Sequence, residues 1–248
     1  MSDASDQVMP NALKRAMALL IEPPADPDTG SGYLNLLGPS GDAPASNNGQ
    51  VQRLWASEIG SQLYDIVQGL ARKLATTWSL DLDWLNLPAD GVAIDVGSGP
   101  GNVTAAVARA AGPDALVLGI DISEPMLARA VAAEASANVG FLRADAQRLP
   151  LREEVADAVV SMAALQLIPD TGAALREMVR VLKPGGRLAL MVPTSGGPAV
   201  RLAELLPGSL GVRFFDGDEI ADGLLDAGLR KVKVQQRGVV QWVRGTKA

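Results

Sequence analysis

The stretch Val92-Ala-Ile-Asp-Val-Gly-Ser-Gly-Pro-Gly-Asn-Val-Thr104 constrains the fold more than any other part of the chain. An apolar run, Val92 to Val96, carries an acid at Asp95 and drops directly into Gly97-Ser98-Gly99-Pro100-Gly101. A small-residue helical pattern, Val103 to Ala111, follows. Strand, glycine turn and helix in that order suit a nucleotide-type cofactor, because glycine admits positive φ and a close backbone approach that a Cβ would block. The dinucleotide turn spaces its glycines as G-x-G-x-x-G. Counted from Gly97 and Gly99, the third place here is Asn102, and the glycine falls one position early at Gly101.

Downstream, short apolar runs recur at Val92–Val96, Leu116–Ile120, Val139–Arg143, Ala158–Met162 and Arg187–Val192. Near-continuous hydrophobic runs mark strands of a parallel sheet whose two faces are both covered by helices. The intervening segments Val103–Ala111, Pro125–Ala135 and Gly172–Leu182 read as those helices, the last stopped by Lys183-Pro184-Gly185-Gly186. A helix near Asp218–Ala227 precedes two strands, Arg230–Gln236 and Val239–Val243, which meet at Arg237-Gly238 as a hairpin. A parallel sheet that ends in an antiparallel hairpin departs from the six-stranded dinucleotide fold.

The chain divides into three parts. Residues 1–50 read as a mostly irregular arm with one short helix, whose apolar face is Leu13, Met17, Leu20 and Ile21 and whose stop is Pro23-Pro24. Tyr33 to Leu37 is an apolar island able to dock on the main body. Residues 51–88 read as a helical cap, with Leu63, Ile66, Val67, Leu70 and Leu74 in one stripe. Trp55, Tyr64, Trp78 and Trp84 gather there, as the wall of a substrate pocket or as a helix pair over the sheet edge. Residues 89–248 form the cofactor-binding domain.

Composition removes several classes of chemistry. With no histidine and no cysteine, the chain has no imidazole base, no thiolate nucleophile and no Cys/His zinc site, so no metal is expected. A net charge of −6 argues against nucleic acid as partner. Arg143, Arg148 and Arg152 are interleaved with Asp145, Glu153 and Glu154, which reads as a solvated face. No apolar run is long enough to span a membrane and no basic-start leader is present, so the expected location is the cytoplasm. The apolar N-terminal helix is compatible with a homodimer.

Four further segments carry a family resemblance. Leu118-Gly-Ile-Asp-Ile-Ser123 ends a strand on an acid, Asp121. Phe141-Leu-Arg-Ala-Asp-Ala-Gln-Arg-Leu-Pro150 places Asp145 just past the next strand, where a turn-forming role is the competing reading. Ala156-Asp-Ala-Val-Val-Ser-Met-Ala-Ala-Leu-Gln166 is a strand and its loop. Leu175-Arg-Glu-Met-Val-Arg-Val-Leu-Lys-Pro-Gly-Gly-Arg-Leu188 is a helix, a stop and a strand start. Together with Asp95-x-Gly97-x-Gly99-x-Gly101, these resemble the class I S-adenosylmethionine-dependent methyltransferases, of the small-molecule, UbiE-like kind. The resemblance is strong from Gly91 to about Val192 and loose outside it.

The resemblance implies an α/β fold: a seven-stranded, mostly parallel Rossmann-like sheet with a C-terminal antiparallel hairpin and an N-terminal helical extension. It implies S-adenosylmethionine as cofactor and methyl transfer to a small-molecule acceptor, read as O-methylation of a hydroxylated aromatic, quinone-like or lipid-like compound. Gly97, Ser98, Gly99 and Gly101 would pass the methionine part of the cofactor, with Asp95 ordering the loop through its backbone amides. Asp121, followed by Ile122, would hold the ribose. Asp145 and Ala146 would meet the adenine, and backbone near Met162 would face the amino group. The family often has histidine where Gln166 stands, a departure in this chain; with no histidine available, Tyr64 is the first candidate to contact cofactor or substrate and Gln166 the second. The alternatives are an NAD(P)-dependent oxidoreductase, which the absence of lysine four residues after Tyr64 disfavours, and a non-catalytic fold-mate that only binds the cofactor.

Overall fold

One mixed sheet of eight strands organises the computed structural model, which describes residues 9–37, 82–195 and 213–248. In chain order its elements are α1 (Asn11–Met17), β1 (Leu34–Asn35), α2 (Leu82–Leu85), β2 (Val92–Val96), α3 (Asn102–Ala111), β3 (Leu116–Asp121) and α4 (Glu124–Glu134). They continue with β4 (Val139–Arg143), β5 (Ala156–Met162), α5 (Thr171–Val181), β6 (Leu182–Pro193), α6 (Glu219–Asp226), β7 (Leu229–Arg237) and β8 (Val240–Lys247). The strand order is β1-β4-β3-β2-β5-β6-β8-β7. Strands β1 through β6 run parallel, and β8 and β7 close the sheet antiparallel.

The sequence led to seven strands; the eighth is β1. Its two residues are too few to show a strand period, and only pairing with β4, Leu34 to Leu142 and Asn35 to Arg143, makes them a strand. The helix–strand junction also differs. Leu182 already pairs with Ala156, Lys183–Gly186 bulge out, and pairing resumes between Arg187 and Ala158. At the hairpin Arg237 pairs with Val240, so the two turn residues are Gly238 and Val239, with Gly238 at φ +61°.

Alternation along the strands divides the interior into two layers. Ile94, Val96, Leu118, Leu142, Leu188 and Leu190 face α1, α5 and α6. Ala93, Val117, Phe141, Ala158, Val160 and Ala189 face α2, α3 and α4. Helix α1 buries Leu13 of the expected stripe together with Ala12 and Ala16, and Met17 packs partly buried against the core; Leu20 is buried beyond the helix end, where it bridges to Leu151, and of the four only Ile21, 55% exposed, departs. The helix ends at Met17, before Pro23, because the chain turns there to pair with the backbone of Pro150 and Arg152. A Cβ on Gly140 would lie 3.1 Å from Leu13 and 3.2 Å from Ala12, so α1 sits flush on β4. Burying a leucine such as Leu13 contributes about 2 kcal/mol.

The topology fixes where a ligand can bind. From β2 the chain steps outward to β3 and β4, then crosses back to β5 and β6 on the other side. At the carboxyl ends of β2 and β5 the connections leave in opposite directions, which opens the crevice that α/β sheets use for ligands.

Candidate functional site

Two loops meet in that crevice. The first, Gly97–Gly101, hangs on the neighbouring strand: the N–H groups of Gly97 and Ser98 both donate to the Ile120 carbonyl, at 2.8 and 3.0 Å. Gly97, Gly99 and Gly101 have φ of +74°, +52° and +86°, which a side chain would strain. A Cβ on Gly97 would lie 2.2 Å from that of Ala164 in the second loop, so the loops touch through the missing side chain. Gly101 and Gly119 share another task. Phe141, fully buried, would meet a Cβ on either one, at 2.9 and 2.6 Å, so both glycines make room for one phenyl ring under the loop.

Asp121 joins the first loop to the start of α4. Its Oδ2 accepts from the Gly99 N–H at 2.8 Å and its Oδ1 from the Ser123 N–H at 2.9 Å. A carboxylate has about four lone-pair sites, so two remain for hydroxyl donors. Dense packing around the carboxyl raises its pKa, partly offset by the backbone N–H donors.

Asp95 does not bind the loop amides, as the sequence reading had it. It is buried and its Oδ2 accepts from the Thr104 hydroxyl at 2.6 Å, which ties β2 to the first turn of α3. The amides instead go to Ile120 and Asp121, because Asp95 alternates onto the face of the sheet that α3 covers. Burial pushes the Asp95 carboxyl up to about 7; the Thr104 hydroxyl opposes this and the nearby Asp121 charge adds to it.

Asp145 follows β4 and builds a turn: Oδ1 accepts from the Gln147 N–H at 2.9 Å, and the Gln147 amide donates to both oxygens. The Gln147 Oε1 then accepts from the Asp170 N–H at 2.9 Å, linking this turn to the residue that caps α5. The turn-forming role is therefore real, and it presents the carboxylate in a fixed orientation beside Ala146.

The second loop follows β5. Ala163 sits at φ +56° and its N–H donates to the Met191 carbonyl at 2.9 Å. Gln166 is buried, and its Nε2 donates to the Ala163 carbonyl at 2.6 Å. Gln166 thus pins the strained loop against Gly97, and its side-chain oxygen makes no hydrogen bond among the described residues. The buried hydroxyls of Ser98 and Ser161 are likewise unpartnered. A buried polar atom left without a partner costs about 1–3 kcal/mol, so such atoms in a crevice favour a ligand that would satisfy them. Of the aromatic residues read as a pocket wall, Trp55, Tyr64 and Trp78 lie outside the described residues.

Arg143 corrects the expectation of a solvated face. It is 2% exposed and donates from Nε to the Ile122 carbonyl at 3.3 Å and from Nη1 to Asn35 Oδ1 at 3.2 Å, with Glu124 paired at 3.2 Å. Strand β1 covers it, and sequence reasoning missed it because β1 carries no strand signal. It braces Ile122, the residue beside Asp121.

Geometry and comparison now coincide. Residues 94–190, from the third residue of β2 almost to the end of β6, match the family model described as a methyltransferase domain. This region is similar to the methyltransferase domains of S-adenosylmethionine-dependent enzymes. The chain is 30% identical over 131 residues to the ubiquinone/menaquinone biosynthesis C-methyltransferase UbiE of Pseudomonas putida, a match that covers 51% of this chain and 50% of that one. It is 42% identical over 100 residues to the demethylmenaquinone methyltransferase of Staphylococcus aureus, covering 40% and 42% of the two chains. The chain thus spans about half the length of the curated relatives it matches. Among solved structures, a Thermotoga maritima protein described as a possible histamine N-methyltransferase superposes with a TM-score of 0.63 at 22% identity, over 80% of this chain and 100% of that one. The [4+2]-cyclase SpnF superposes with a TM-score of 0.56 at 21% identity, over 75% and 94%. These structures share the fold of this chain, and the name of SpnF shows that the fold also serves a protein named for another reaction.

Proposed function

We propose that this chain binds S-adenosylmethionine and transfers its methyl group to a small, hydroxylated, quinone-like acceptor. The observation that supports the reading most is Asp121, held by the Gly99 and Ser123 amides with two lone pairs open at the switch point of the sheet. When bound, the cofactor supplies an activated methyl on a sulfonium leaving group. The residues of the chain then have a positioning task, for which effective molarities of about 10⁵–10⁸ M are attainable in favourable cases. Asp121 would take the ribose hydroxyls and Asp145, oriented by Gln147, would accept from the adenine amine. The Ser98 hydroxyl and the amides of the glycine loop would face the methionine portion, near Met162. Gln166 acts on the loop rather than on a proton, and the absence of histidine leaves the acceptor to arrive ionised or to lose its proton to a carboxylate or tyrosine.

The names of the curated relatives support the reading of a quinone-like acceptor, and the C-methyltransferase among them favours carbon as the methylated atom. Oxygen, the atom read from the sequence, is the second outcome. Titration calorimetry with S-adenosylhomocysteine and, in parallel, with NADH tests the cofactor: micromolar binding of the first and none of the second is expected, and the reverse would overturn the reading. Turnover with a demethylated hydroquinone, followed by NMR of the product, separates carbon from oxygen.

A further inference from the structure

A second polar cleft lies at the other end of the sheet. On the face that α2 covers, Trp84, Arg187, Lys231, Lys233, Arg244 and Thr246 line a cavity of about 220 Å³. Four of these six are cations and none is an acid, in a chain of net charge −6. The guanidinium carbons of Arg187 and Arg244 lie 5.4 and 5.1 Å from the centroid of the Trp84 ring, and Arg187 also donates to the Trp84 carbonyl. One indole therefore holds two like charges, each cation–π contact fixing an arginine at the cleft.

The lysines are placed by backbone irregularity. The register between β7 and β8 shifts between Arg230 and Lys233, and Lys231 within that shift has φ +52°. A bulge re-aims side chains, and a left-handed non-glycine residue persists only where its surroundings hold it there. Lys231 and Lys233 are exposed, and neither makes a hydrogen bond or ion pair among the described residues.

A simpler account is that lysines on an edge strand deter pairing with other chains. It covers Lys231 and Lys233 on β7, but not Arg187 and Arg244, which stand on the interior strands β6 and β8. Nor is the cleft part of the cofactor crevice. Arg187 is level with Ala158 and, through it, with Ala93, four residues before Gly97, which is about 13 Å of strand.

From this convergence we propose that the cleft bounded by Trp84, Arg187, Lys231, Lys233 and Arg244 binds a phosphate-bearing anion. Guanidinium forks match phosphate oxygens bidentately, ammonium groups add mobile point charges, and a concave wall focuses the field. The phosphate belongs to a free polyphosphate compound or to a lipid headgroup, and one experiment distinguishes them. The full chain is titrated with pyrophosphate at constant ionic strength, and sedimented with vesicles of phosphatidylglycerol or of phosphatidylcholine. Saturable binding of pyrophosphate identifies a free ligand; retention on phosphatidylglycerol vesicles alone identifies a headgroup. In either case the Lys231→Gln/Lys233→Gln double variant should bind at least tenfold more weakly, with unchanged affinity for S-adenosylhomocysteine and an unchanged melting temperature. Failure of both ligands to bind, or equal binding by the double variant, overturns the proposal. The proposed methyl transfer is untouched by either result.

Discussion

The cofactor crevice and the basic cleft arrange their charges differently. In the β4-β3-β2 half, each charged group near the crevice already has partners within the chain: Asp121 with two amides, Asp95 with Thr104, Arg143 with Asn35, Glu124 and the Ile122 carbonyl. At the cleft of the β6-β8-β7 half, four cations collect around Trp84 with no acid among the described lining residues. The first half is a preorganised scaffold, its loop shape set before any ligand arrives, and preorganisation lowers the ordering cost of binding. The cleft gathers like charges, a disposition that an incoming anion would relieve.

The sharpest way to break this contrast is Gly97→Val. The side chain would strain φ +74° and strike Ala164, and we expect at least a hundredfold loss of S-adenosylhomocysteine affinity by calorimetry, with the pyrophosphate response unchanged. Next in size, Asp121→Ala removes the acceptor for the Gly99 amide together with the proposed ribose contact. It should weaken the same affinity by at least tenfold, more than about 1.5 kcal/mol on the scale of charge-assisted hydrogen bonds. Unchanged affinity would take Asp121 out of the site.

Asp95 gives a prediction in pH. Its folded-state pKa, about 7, lies above the ordinary 3.8, so the folded protein keeps a proton that the unfolded chain releases. Stability attributable to Asp95 is therefore greatest below about pH 4, falls as pH rises from 4 to 7, and stays low above that. Asp95→Asn removes the ionisation, so the variant should exceed the parent by about 2 kcal/mol at pH 8 in denaturant melts, and the gap should shrink toward pH 4. A gap independent of pH would show that Asp95 does not titrate in this range. The smallest expected effect is Asn35→Ala, which takes one neutral partner from the buried Arg143: about 1 kcal/mol of stability and less than threefold in cofactor affinity.

What could be read in the sequence follows the same division. Parallel strands buried on both faces announce themselves as apolar runs, and β2 through β5 lie where those runs lie. The glycine loop was legible because its spacing is a backbone requirement. Elements made by pairing were not: β1 exists through Leu142 and Arg143, and Arg143 is buried only because β1 covers it. Asp95 was misassigned because strand parity, which turns it toward α3, is invisible until the helix is placed. The basic cleft escaped because its members, from Trp84 to Thr246, are scattered over three stretches of chain that only the antiparallel closure of the sheet unites.

The packing of α1 bears on where this protein could be divided. The segment that matches the family model begins after α1 and β1 and ends before β8, yet β4 pairs with β1 and β6 pairs with β8 along seven residues. Cut to residues 94–190, the sheet would have two raw edges, and Gly140 would leave a groove where Leu13 had been. The recognisable module and the smallest autonomous unit are therefore different objects. Graft or domain-swap experiments on this fold should carry the flanking segments along with the matched core.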